Sequence, residues 1–429
     1  MPNIQLALDG GTPTLGSLPS WPTDHAHPFD LLSVVQRAPD SEPWGQPMVQ
    51  KLERRWGDAT GRAHVVACRS GRAALALALA GLELEPGDEV ICPGDAIPLA
   101  RAIAQAGYTA VAADLHPVHL HLDPNAVEAA VTGRTRAVVA VDSHGTTADY
   151  RSLTEICRHH GLSLIEDGSQ SLGAIFDQRP VGSHGDASIC SFVGEDLRSN
   201  LGTAGVYATD DEGLAMAARR RLMVNNEASS QGFEPDALSG WSCQLAELDA
   251  AVCEAQLRTT WSRLATRVRN GRHLRRRLAA IPGVWVPDPV RSASHVYTSL
   301  PLVVMPDELG LGEHAADTLR DTVIDCLTAE GLWVDRWAPQ PFSRIRPSSS
   351  TDEPWGGDQW TVRAPGSDEL PVASALVATG LVLGQDRCPF DDPNDTATMD
   401  RIADCFTKIF VDNADRLRTM TEERRQQTD

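Results

Sequence analysis

Residues 64–93 read HVVACRSGRAALALALAGLELEPGDEVICP and decide the fold of this chain. Two short apolar runs rich in Val, Ile and Ala flank a stretch of strong helix formers. Apolar runs bounded by Gly, Pro, Asp or Ser are typical of strands that are buried on both faces of a parallel sheet. The segment therefore predicts a strand, a helix over residues 72–82 and a second strand, which together open an α/β fold.

The same alternation continues along the chain to about residue 210. Helical stretches, such as the one over residues 99–106, separate several of the apolar runs. This order indicates a mainly parallel sheet that helices cover on both faces. The strand-like runs, in chain order, are HVVACRS, DEVICPG, YTAVAADL, RAVVAVDSHG, LSLIEDGS, ASICSF and AGVYATD.

A second set of elements follows the sheet region. A helical pattern from Cys243 to about Leu278 ends that region, and new strands and a helix begin near Val284. A chain of 429 residues is long enough for two or three domains at roughly 150 residues each. Residues 343–368 have the composition of a loop. We therefore predict an N-terminal arm (1–60), a large α/β domain (61–265) and a smaller C-terminal α/β domain (266–429).

Composition and charge argue against several classes of protein. The formal net charge is −20, whereas a general nucleic-acid binder needs a basic face to neutralise phosphates. No apolar run approaches the roughly 20 residues that span a bilayer, and the first residues lack a secretory pattern. The nine cysteines are scattered and form no metal-type C-x-x-C pair. We predict a cytoplasmic protein with reduced thiols, no metal site, and no nucleic-acid or membrane partner.

The residues that close the predicted strands are candidate site residues, because ligands of such sheets bind at the carboxyl ends of the strands. Ser70, Gly71 and Arg72 open a helix there, and the free amides of a helix N-terminus suit an anion such as phosphate. Asp167 follows the run LSLIE, either as a buried carboxylate that pairs with a cation or as a helix N-cap. His144 closes another strand and is a candidate acid or base.

Several longer motifs occur in a fixed order: SGRAALALALAGLELEPGDEVICPG, GLSLIEDGSQSLGA, VGSHGDASICSF and LGTAG. Together they resemble the sugar and cyclitol aminotransferases, which are fold-type I proteins that depend on pyridoxal phosphate (PLP). The opening LALDGGTP and the following WP pair resemble the amino-hydroxybenzoate synthase and inosose aminotransferase branch. The resemblance implies the fold-type I α/β architecture, a homodimer, and a small-molecule intermediate of antibiotic-type biosynthesis as the substrate.

The resemblance also implies roles for individual residues. Asp167 stands where the family places its partner for the pyridine nitrogen, and Gln170 and Ser191 stand in family positions as well. Ser70 and Gly71 belong to the segment that forms the family's phosphate cup. These positions are the ones at which a pyridoxal-type ring and its phosphate would be held.

The resemblance fails at the position that carries the family's chemistry. In the family a Ser-Phe pair is followed four residues later by the lysine that forms the internal aldimine. Here the pair that begins at Ser191 is followed by Asp196, with Glu195 beside it, and a carboxylate cannot form an imine. The chain contains only two lysines, Lys51 and Lys408. Ordinary transamination is therefore not expected.

Other family contacts differ too. The resemblance places Ile97 where an aromatic ring normally stacks on the pyridine, and Arg72 where a threonine normally lines the phosphate cup. In the segment that the family extends into the partner subunit's site, Trp241 is followed by Ser242 in place of asparagine, and Gln244 replaces an arginine. Several coordinated changes of this kind indicate natural divergence of the site.

Three functions are compatible with this pattern. The first, which we favour, is a repurposed enzyme that needs no cofactor and performs a dehydration, isomerisation or cyclisation by acid–base chemistry. Carboxyl groups that cluster in a cleft drive one another's pKa values apart, which supplies an acid and a base. The catalytic candidates are Asp196, Glu195, Asp167, His144 and His184, with Arg72 or Arg198 on an anionic group.

The second function is that of a dehydratase which holds PLP or its aminated form, pyridoxamine phosphate (PMP), without a covalent bond. Asp196 would be its base and Asp167 would hold the pyridine nitrogen. The third is a non-catalytic subunit that forms a heterodimer with an active aminotransferase. A cleft lined with polar groups favours an enzyme, whereas a cleft filled with side chains favours a scaffold.

Trp333 and Trp337 either line a substrate pocket or pack in the core.

Overall fold

The computed structural model has one large and one small sheet, with helices packed against both. A two-stranded hairpin lies beside them. The residues that the structure describes are 5–15, 47–192, 204–222, 241–338, 362–363, 370–384, 389–391 and 394–428. In chain order the strands are β1 (His64–Cys68), β2 (Glu89–Pro93), β3 (Thr109–Ala113), β4 (Thr135–Val141), β5 (Ser163–Asp167), β6 (Ile175–Phe176), β7 (Arg179–Pro180), β8 (Ala187–Ser191), β9 (Gly205–Thr209), β10 (Val284–Trp285), β11 (Leu300–Val304), β12 (Asp335–Arg336), β13 (Val362–Arg363) and β14 (Gly380–Leu383).

The large sheet has the strand order β1-β9-β8-β5-β4-β2-β3-β13. Strands β8, β5, β4, β2, β3 and β13 run parallel to one another, and β9 pairs antiparallel with both β1 and β8. Every residue of β3 and β9 is buried, as continuous apolar strands covered on both faces must be. The mainly parallel fold-type I sheet and all seven predicted strands are confirmed.

The helices begin and end at local signals. Ser70 caps α2, because its Oγ accepts a hydrogen bond from the amide of Ala73 at 3.2 Å. Asp149 caps α5 in the same way, and Gly161 ends α5 in the left-handed conformation. The helices are α1 (Pro47–Thr60), α2 (Gly71–Gly81), α3 (Ile97–Gln105), α4 (Pro124–Ala130), α5 (Tyr150–His160), α6 (Glu212–Leu222), α7 (Glu247–Leu278), α8 (Ala316–Ala329), α9 (Pro371–Thr379), α10 (Thr396–Thr407) and α11 (Ala414–Thr428).

Two sequence-based boundaries were wrong. The helix expected from Cys243 begins at Glu247, because Gln244 instead pairs with Cys68 in an isolated β-bridge. Within the stretch expected to be a loop, Val362 and Arg363 form β13 and pair with β3, which covers an edge of the sheet. The rest of that stretch lies outside the described residues. The predicted domain boundary at 265/266 falls inside α7 and stays a prediction, as does the boundary at 60/61.

The small sheet is antiparallel, with the order β10-β11-β14-β12. Its core includes buried side chains of α8, α10 and the end of α7. A buried ion pair between Lys408 and Glu330, at 2.9 Å, lies at its edge. Glu330 also accepts hydrogen bonds from the amides of Ala7 and Thr14, so this pair fastens residues 5–15 to the C-terminal part of the chain.

Candidate functional site

A cavity of about 570 Å³ lies at the carboxyl ends of β4, β5 and β8. Its size is within the roughly 300–1,000 Å³ that is usual for small-molecule sites. The first turns of α2 and α3 line it, and Trp337 and Ala338, which follow β12, contribute a further part of its wall. The cavity has kept its open space and its polar lining, which is the condition that favours an enzyme over a scaffold.

Close packing fixes the position of α2 in this wall. A Cβ added to Gly71 would lie 2.6 Å from the Cβ of Ser191, so only glycine allows the helix to begin this near the end of β8. Gly71, Arg72 and Ser191 consequently line the same cavity. The positive end of the α2 dipole faces this space, which suits an anionic group.

Asp167 is the last residue of β5 and lines the cavity. Its Oδ1 accepts hydrogen bonds from the amide of Ser169, at 3.1 Å, and from the Ser169 hydroxyl. Burial raises the pKa of the carboxyl group, and the bonds from Ser169 oppose that rise. Asp167 does not cap a helix, because a turn rather than a helix follows β5.

Asp95 provides a second carboxyl group in the wall, just before α3. Its Oδ2 accepts a hydrogen bond from Nε1 of Trp337 at 3.1 Å. Burial raises the pKa of Asp95 to about 6, and the bond from the indole opposes this rise. The side chain does not cap α3, so Asp95 is a cavity carboxyl group whose pKa is near neutral pH.

His144 lines the cavity beyond the end of β4. Its Nδ1 lies 2.9 Å from the Oγ of Ser299, and its backbone amide donates to Oε1 of Gln170 at 3.2 Å. Its φ of +58° is in the left-handed region, which is uncommon for a residue other than glycine and is concentrated at functional sites. Burial, helped by the neighbouring His121, lowers the pKa of His144 to about 3, so the ring is neutral.

Asp142 and Glu166 form a second pair of carboxyl groups and precede His144 and Asp167 in the chain. Both are fully buried, and neither lines the cavity. Oδ1 of Asp142 accepts hydrogen bonds from the hydroxyl of Tyr150 and the amide of Ala148, both at 2.9 Å. Burial and the charge of Glu166 raise the pKa of Asp142 well above its usual range, and burial raises that of Glu166 to about 7. The pair therefore holds a proton at neutral pH.

The structure brings most of the predicted binding residues together. Gly71, Arg72, Ile97, Gln170 and Ser191 line the cavity, and Ser70 caps the helix at its edge. Trp241 and Ser242 do not line it. Trp241 is 46% exposed and Ser242 is exposed too, so any role of theirs in a partner's site stays a prediction.

The predicted catalytic residues divide into two groups. Asp167 and His144 lie in the cavity wall. Asp196, Glu195 and Arg198 lie outside the described residues, and their roles stay predictions. His184 is buried, stacks on Tyr150 with 4.6 Å between ring centroids, and does not line the cavity.

Sequence reasoning gave too little weight to three residues. Asp95 follows β2 in the PGDA turn, where the sequence alone indicates no more than added charge or a helix cap. Arg101 lies four residues after Ile97, and this helical spacing puts both on one face of α3 and in the cavity wall. The sequence left open whether Trp337 lines a pocket or packs in the core. The structure shows that it lines the cavity and is only 9% exposed.

Both lysines of the chain are described, and neither lines the cavity. Lys51 lies on α1, with its Nζ 3.4 Å from Glu254. Lys408 is held by Glu330 and by the carbonyl oxygen of Thr12, at 2.9 Å each. The two lysines are therefore held by Glu254 and Glu330, away from the lining residues of the cavity.

Two further properties of the described residues bear on the class of protein. In the described part of the chain, no three His, Cys, Asp or Glu side chains are grouped so that they could hold a metal ion. None of the helices in that part is both long and apolar enough to cross a lipid bilayer.

The fold defines the fold-type I architecture of the PLP-dependent transferases. The model of the DegT/DnrJ/EryC1/StrS aminotransferase family matches residues 32–345, and this chain belongs to that family. It is 32% identical over 291 residues to a GDP-perosamine synthase of Caulobacter vibrioides, covering 66% of this chain and 74% of that protein. It is 32% identical over 399 residues to an L-glutamine:2-deoxy-scyllo-inosose aminotransferase of Streptoalloteichus tenebrarius, covering 87% and 91%.

Solved structures agree with the sequence relatives. DesV of S. venezuelae, in complex with a ketimine intermediate, superimposes with a TM-score of 0.73 at 27% identity over 88% of this chain and 93% of that one. A 3-amino-5-hydroxybenzoic acid synthase superimposes with a TM-score of 0.72 at 25% identity over 91% and 99%. The chain is therefore homologous to the inosose aminotransferases and the amino-hydroxybenzoate synthases, as the sequence motifs predicted.

The cavity fits part of a pyridoxal-type cofactor. The Asp167 carboxylate would hold a protonated pyridine nitrogen, and the α2 N-terminus would hold the phosphate. Ile97 would supply aliphatic rather than aromatic contact to the ring. The donor set thus suits a pyridoxal-type ring and its phosphate, and neither Lys51 nor Lys408 lines the cavity.

Proposed function

We propose that this protein is an acid–base enzyme that needs no cofactor and acts on a small ketone intermediate of sugar or cyclitol type. The reaction class is isomerisation or dehydration next to a carbonyl group. The observation that supports it most directly is the presence of two carboxyl groups in different environments, Asp95 and Asp167, together with a neutral imidazole, all lining one cavity that lacks a lysine amine. Such chemistry is redox-neutral and requires only a base, an acid and an oxyanion donor.

Asp95 is the base in this proposal. Its pKa of about 6 leaves it ionised at neutral pH yet more basic than an ordinary carboxylate, which is the balance that favours proton abstraction. It removes a proton from the carbon beside the carbonyl group. In an isomerisation the same carboxyl group returns that proton to the carbonyl carbon, while the hydroxyl proton of the first carbon moves to the carbonyl oxygen, so no net proton is gained or lost.

His144 stabilises the oxyanion. When the Ser299 hydroxyl donates to Nδ1, the proton of the neutral ring is on Nε2. Since burial keeps the pKa of His144 at about 3, the ring acts as a hydrogen-bond donor to the developing enolate oxygen and does not carry a charge itself. Its left-handed backbone and the amide contact to Gln170 fix its position.

Asp167 is the second proton carrier. In its protonated form it donates to the hydroxyl group on the next carbon, which leaves as water in a dehydration. The raised pKa of Asp167, caused by burial, increases the protonated fraction. The electrons of the enolate form the new double bond as the hydroxyl leaves, so the reaction balances without an oxidant or a reductant.

The test is solvent exchange without added cofactor. Purified protein is incubated in D₂O with scyllo-inosose or 2-deoxy-scyllo-inosose, the compounds after which two related aminotransferases are named, and carbon-bound protons are followed by NMR. We expect deuterium to enter beside the carbonyl group faster than without protein, or water to be lost from the compound. Asp95→Asn should slow this exchange by about 10²- to 10⁴-fold.

Asp58→Asn is the matched control, because Asp58 is an exposed carboxyl group on α1 outside the cavity. Equal exchange in wild type and Asp95→Asn, each above the rate without protein, would reject Asp95 as the base. Exchange that appears only when PMP is added would reject the cofactor-free function and favour the second candidate below.

The second candidate is a dehydratase that holds PMP without a covalent bond, and the position of Asp167 beside the α2 N-terminus favours it. PMP supplies an electron sink for elimination of a hydroxyl group. Asp167 would keep the pyridine nitrogen protonated, and Arg72 would contact the phosphate. Titration with PMP, followed by absorbance after dialysis, decides this case. Saturable binding that Asp167→Asn weakens would support it, and no binding would exclude it.

We also propose, from membership of the family, that the chain acts as a homodimer, with a heterodimer with an active aminotransferase as the alternative. Trp241, six residues before α7, and Leu248, in its first turn, are both large apolar side chains that are about half exposed, which supports a contact surface there. Light scattering of the purified protein, alone and mixed with a family aminotransferase, distinguishes these assemblies.

A further inference from the structure

Ser169 lies in the turn that follows β5, and its hydroxyl group touches two other residues of the cavity wall. Its Oγ accepts a hydrogen bond from the amide of Ser191 at 2.9 Å and donates one to Oδ1 of Asp167. The backbone amide of Ser169 donates to the same Oδ1 at 3.1 Å. One oxygen of the Asp167 carboxyl group is therefore occupied by two donors from a single residue.

The other oxygen of Asp167, Oδ2, has different surroundings. No hydrogen bond from the described part of the chain reaches it, although the carboxyl group lines the cavity. Oδ2 is thus the oxygen that a ligand can contact. Because a protonated carboxyl oxygen is a poorer acceptor than a carbonyl oxygen, the arrangement that keeps both bonds from Ser169 has the acid proton on Oδ2.

The turn that carries Ser169 is held by its backbone and by close packing. The amide of Gly168 donates to the carbonyl oxygen of Ile189 at 3.0 Å, which joins the turn to β8. A Cβ added to Gly168 would lie 2.4 Å from Cγ1 of Val181, so the turn also packs closely against that side chain. Ser169 therefore bridges the ends of β5 and β8, which are neighbouring parallel strands.

We propose that Ser169 is a positioning residue, which keeps Oδ1 of Asp167 engaged and so places the transferable proton on Oδ2. This role rests on the proposed function, in which Asp167 protonates a departing hydroxyl group. In that step the proton leaves Oδ2, the electrons of the carbon–oxygen bond leave with the hydroxyl oxygen as water, and Asp167 becomes a carboxylate. The two donors of Ser169 then stabilise the carboxylate at Oδ1.

Infrared spectroscopy of the ligand-free protein tests this role without any turnover. Each protein is measured against the same protein carrying Asp167→Asn, which isolates the carbonyl stretching band of the protonated Asp167. If the proton is on Oδ2, the carbonyl oxygen is Oδ1, and Ser169→Ala should move the band to higher wavenumber because a hydrogen bond to that oxygen is lost. The band should also persist to higher pH, because the lost bond had lowered the pKa of Asp167 against the effect of burial.

Three further variants complete the test. Ser169→Thr keeps a hydroxyl group and should retain the wild-type band, whereas Ser169→Cys, with a weaker donor of similar size, should move it part of the way. Ser152→Ala is the matched control and should leave the band unchanged, because Oγ of Ser152 donates to Oδ2 of Asp149 at 2.7 Å outside the cavity. A band that stays in place in both Ser169→Ala and Ser169→Cys would overturn the proposal, since the carbonyl oxygen would then be Oδ2.

The pH–rate profile of water loss separates this role from the proposed function. Asp167 donates only when protonated, so Ser169→Ala should move the alkaline limb of water loss to higher pH. Deuterium exchange through Asp95 should keep its profile. A shifted infrared band in a protein that never releases water would reject Asp167 as the acid of the reaction and would still support Ser169 as the residue that fixes its proton.

Discussion

The indole nitrogen of Trp337 donates a hydrogen bond to Oδ2 of Asp95 over 3.1 Å, and the two residues are 242 positions apart in the chain. This contact joins a residue that follows the small sheet to the end of β2 in the large sheet. It is one of the influences on the pKa of Asp95, because burial raises that pKa and the bond from the indole holds it down. The proton-transfer properties of the cavity therefore depend on how the two sheets are packed.

Trp337→Phe should raise the pKa of Asp95 above its value of about 6, because the ring stays but the donor is lost. A base works only when ionised, so the acid limb of the pH–rate profile should move toward alkaline pH by about one pH unit. Trp333→Phe is the control. Nε1 of Trp333 donates to Asp335 at 3.0 Å outside the cavity, so its profile should match wild type. An unchanged profile in Trp337→Phe would contradict the role of this bond.

Reduction of the PLP-treated protein with borohydride should leave no pyridoxyl group in the cavity. Lys51 is the accessible lysine, with a side chain that is 43% exposed, whereas the side chain of Lys408 is 6% exposed and paired with Glu330. Peptide mass spectrometry should therefore find the label on Lys51 and on the chain's amino terminus. Lys51→Arg should remove the lysine label altogether, and a label on Lys408 in the folded protein would show that its ion pair opens.

The buried pair Asp142 and Glu166 should make stability depend on pH. Their folded-state pKa values are raised, to about 7 for Glu166, so the folded protein keeps protons that unfolded carboxyl groups release above about pH 4. The contribution of this pair to the free energy of unfolding is therefore full below pH 4 and falls as pH rises through 7. Chemical denaturation at pH 5 and pH 8 measures it.

Asp142→Asn tests the effect of the carboxyl proton on stability while keeping the hydrogen bonds that the side chain accepts. The amide keeps an oxygen for Tyr150 and Ala148 and places a nitrogen where the protonated oxygen stands, so it imitates the protonated acid. Because wild type begins to lose this contribution above about pH 4, we expect the stability of the variant relative to wild type to increase by about 1–2 kcal/mol between pH 5 and pH 8. Asp142→Ala should be less stable at both pH values, because those two donors lose their acceptor. A loss in Asp142→Asn at pH 8 would show that the pair is fully ionised there.

Glu330→Ala should destabilise the protein by about 3–5 kcal/mol, because it leaves the buried Lys408 unpaired and frees residues 5–15. The bonds from Ala7, Thr14 and Lys408 lower the pKa of Glu330 despite its burial, so the pair contributes fully above about pH 4.5 and loses its effect as pH falls through the lowered pKa. Urea denaturation measures both effects. The double variant Glu330→Met with Lys408→Met should recover part of the loss, because it leaves no unpaired charge.

Much of the fold was predictable because its signals are local. Each of the seven apolar runs between residues 64 and 210 became a strand, since an apolar run between turn residues has few other ways to be buried. The helix starting at Gly71 was predictable for the same reason. The start of α7 was not, because a β-bridge between Cys68 and Gln244, far apart in the chain, replaced its first turn.

The site was predictable only in part. Asp167 and His144 were identifiable because the ends of parallel strands meet at one edge. Asp95 was underestimated, because its raised pKa depends on burial and on Trp337, and neither is visible in the sequence. The stacking of His184 on Tyr150 was not predictable either, since it is a tertiary contact.

The amino-acid order alone determined the strands, the helices that separate them and the scarcity of lysine, because these follow from neighbouring residues or from composition. Tertiary packing decided which polar side chains share the cavity, which carboxyl groups keep a proton, and that Lys51 and Lys408 lie elsewhere. The physical reason is that a pKa or a cavity wall depends on burial and on partners brought together across hundreds of residues, whereas a strand or a helix depends mainly on its own side chains.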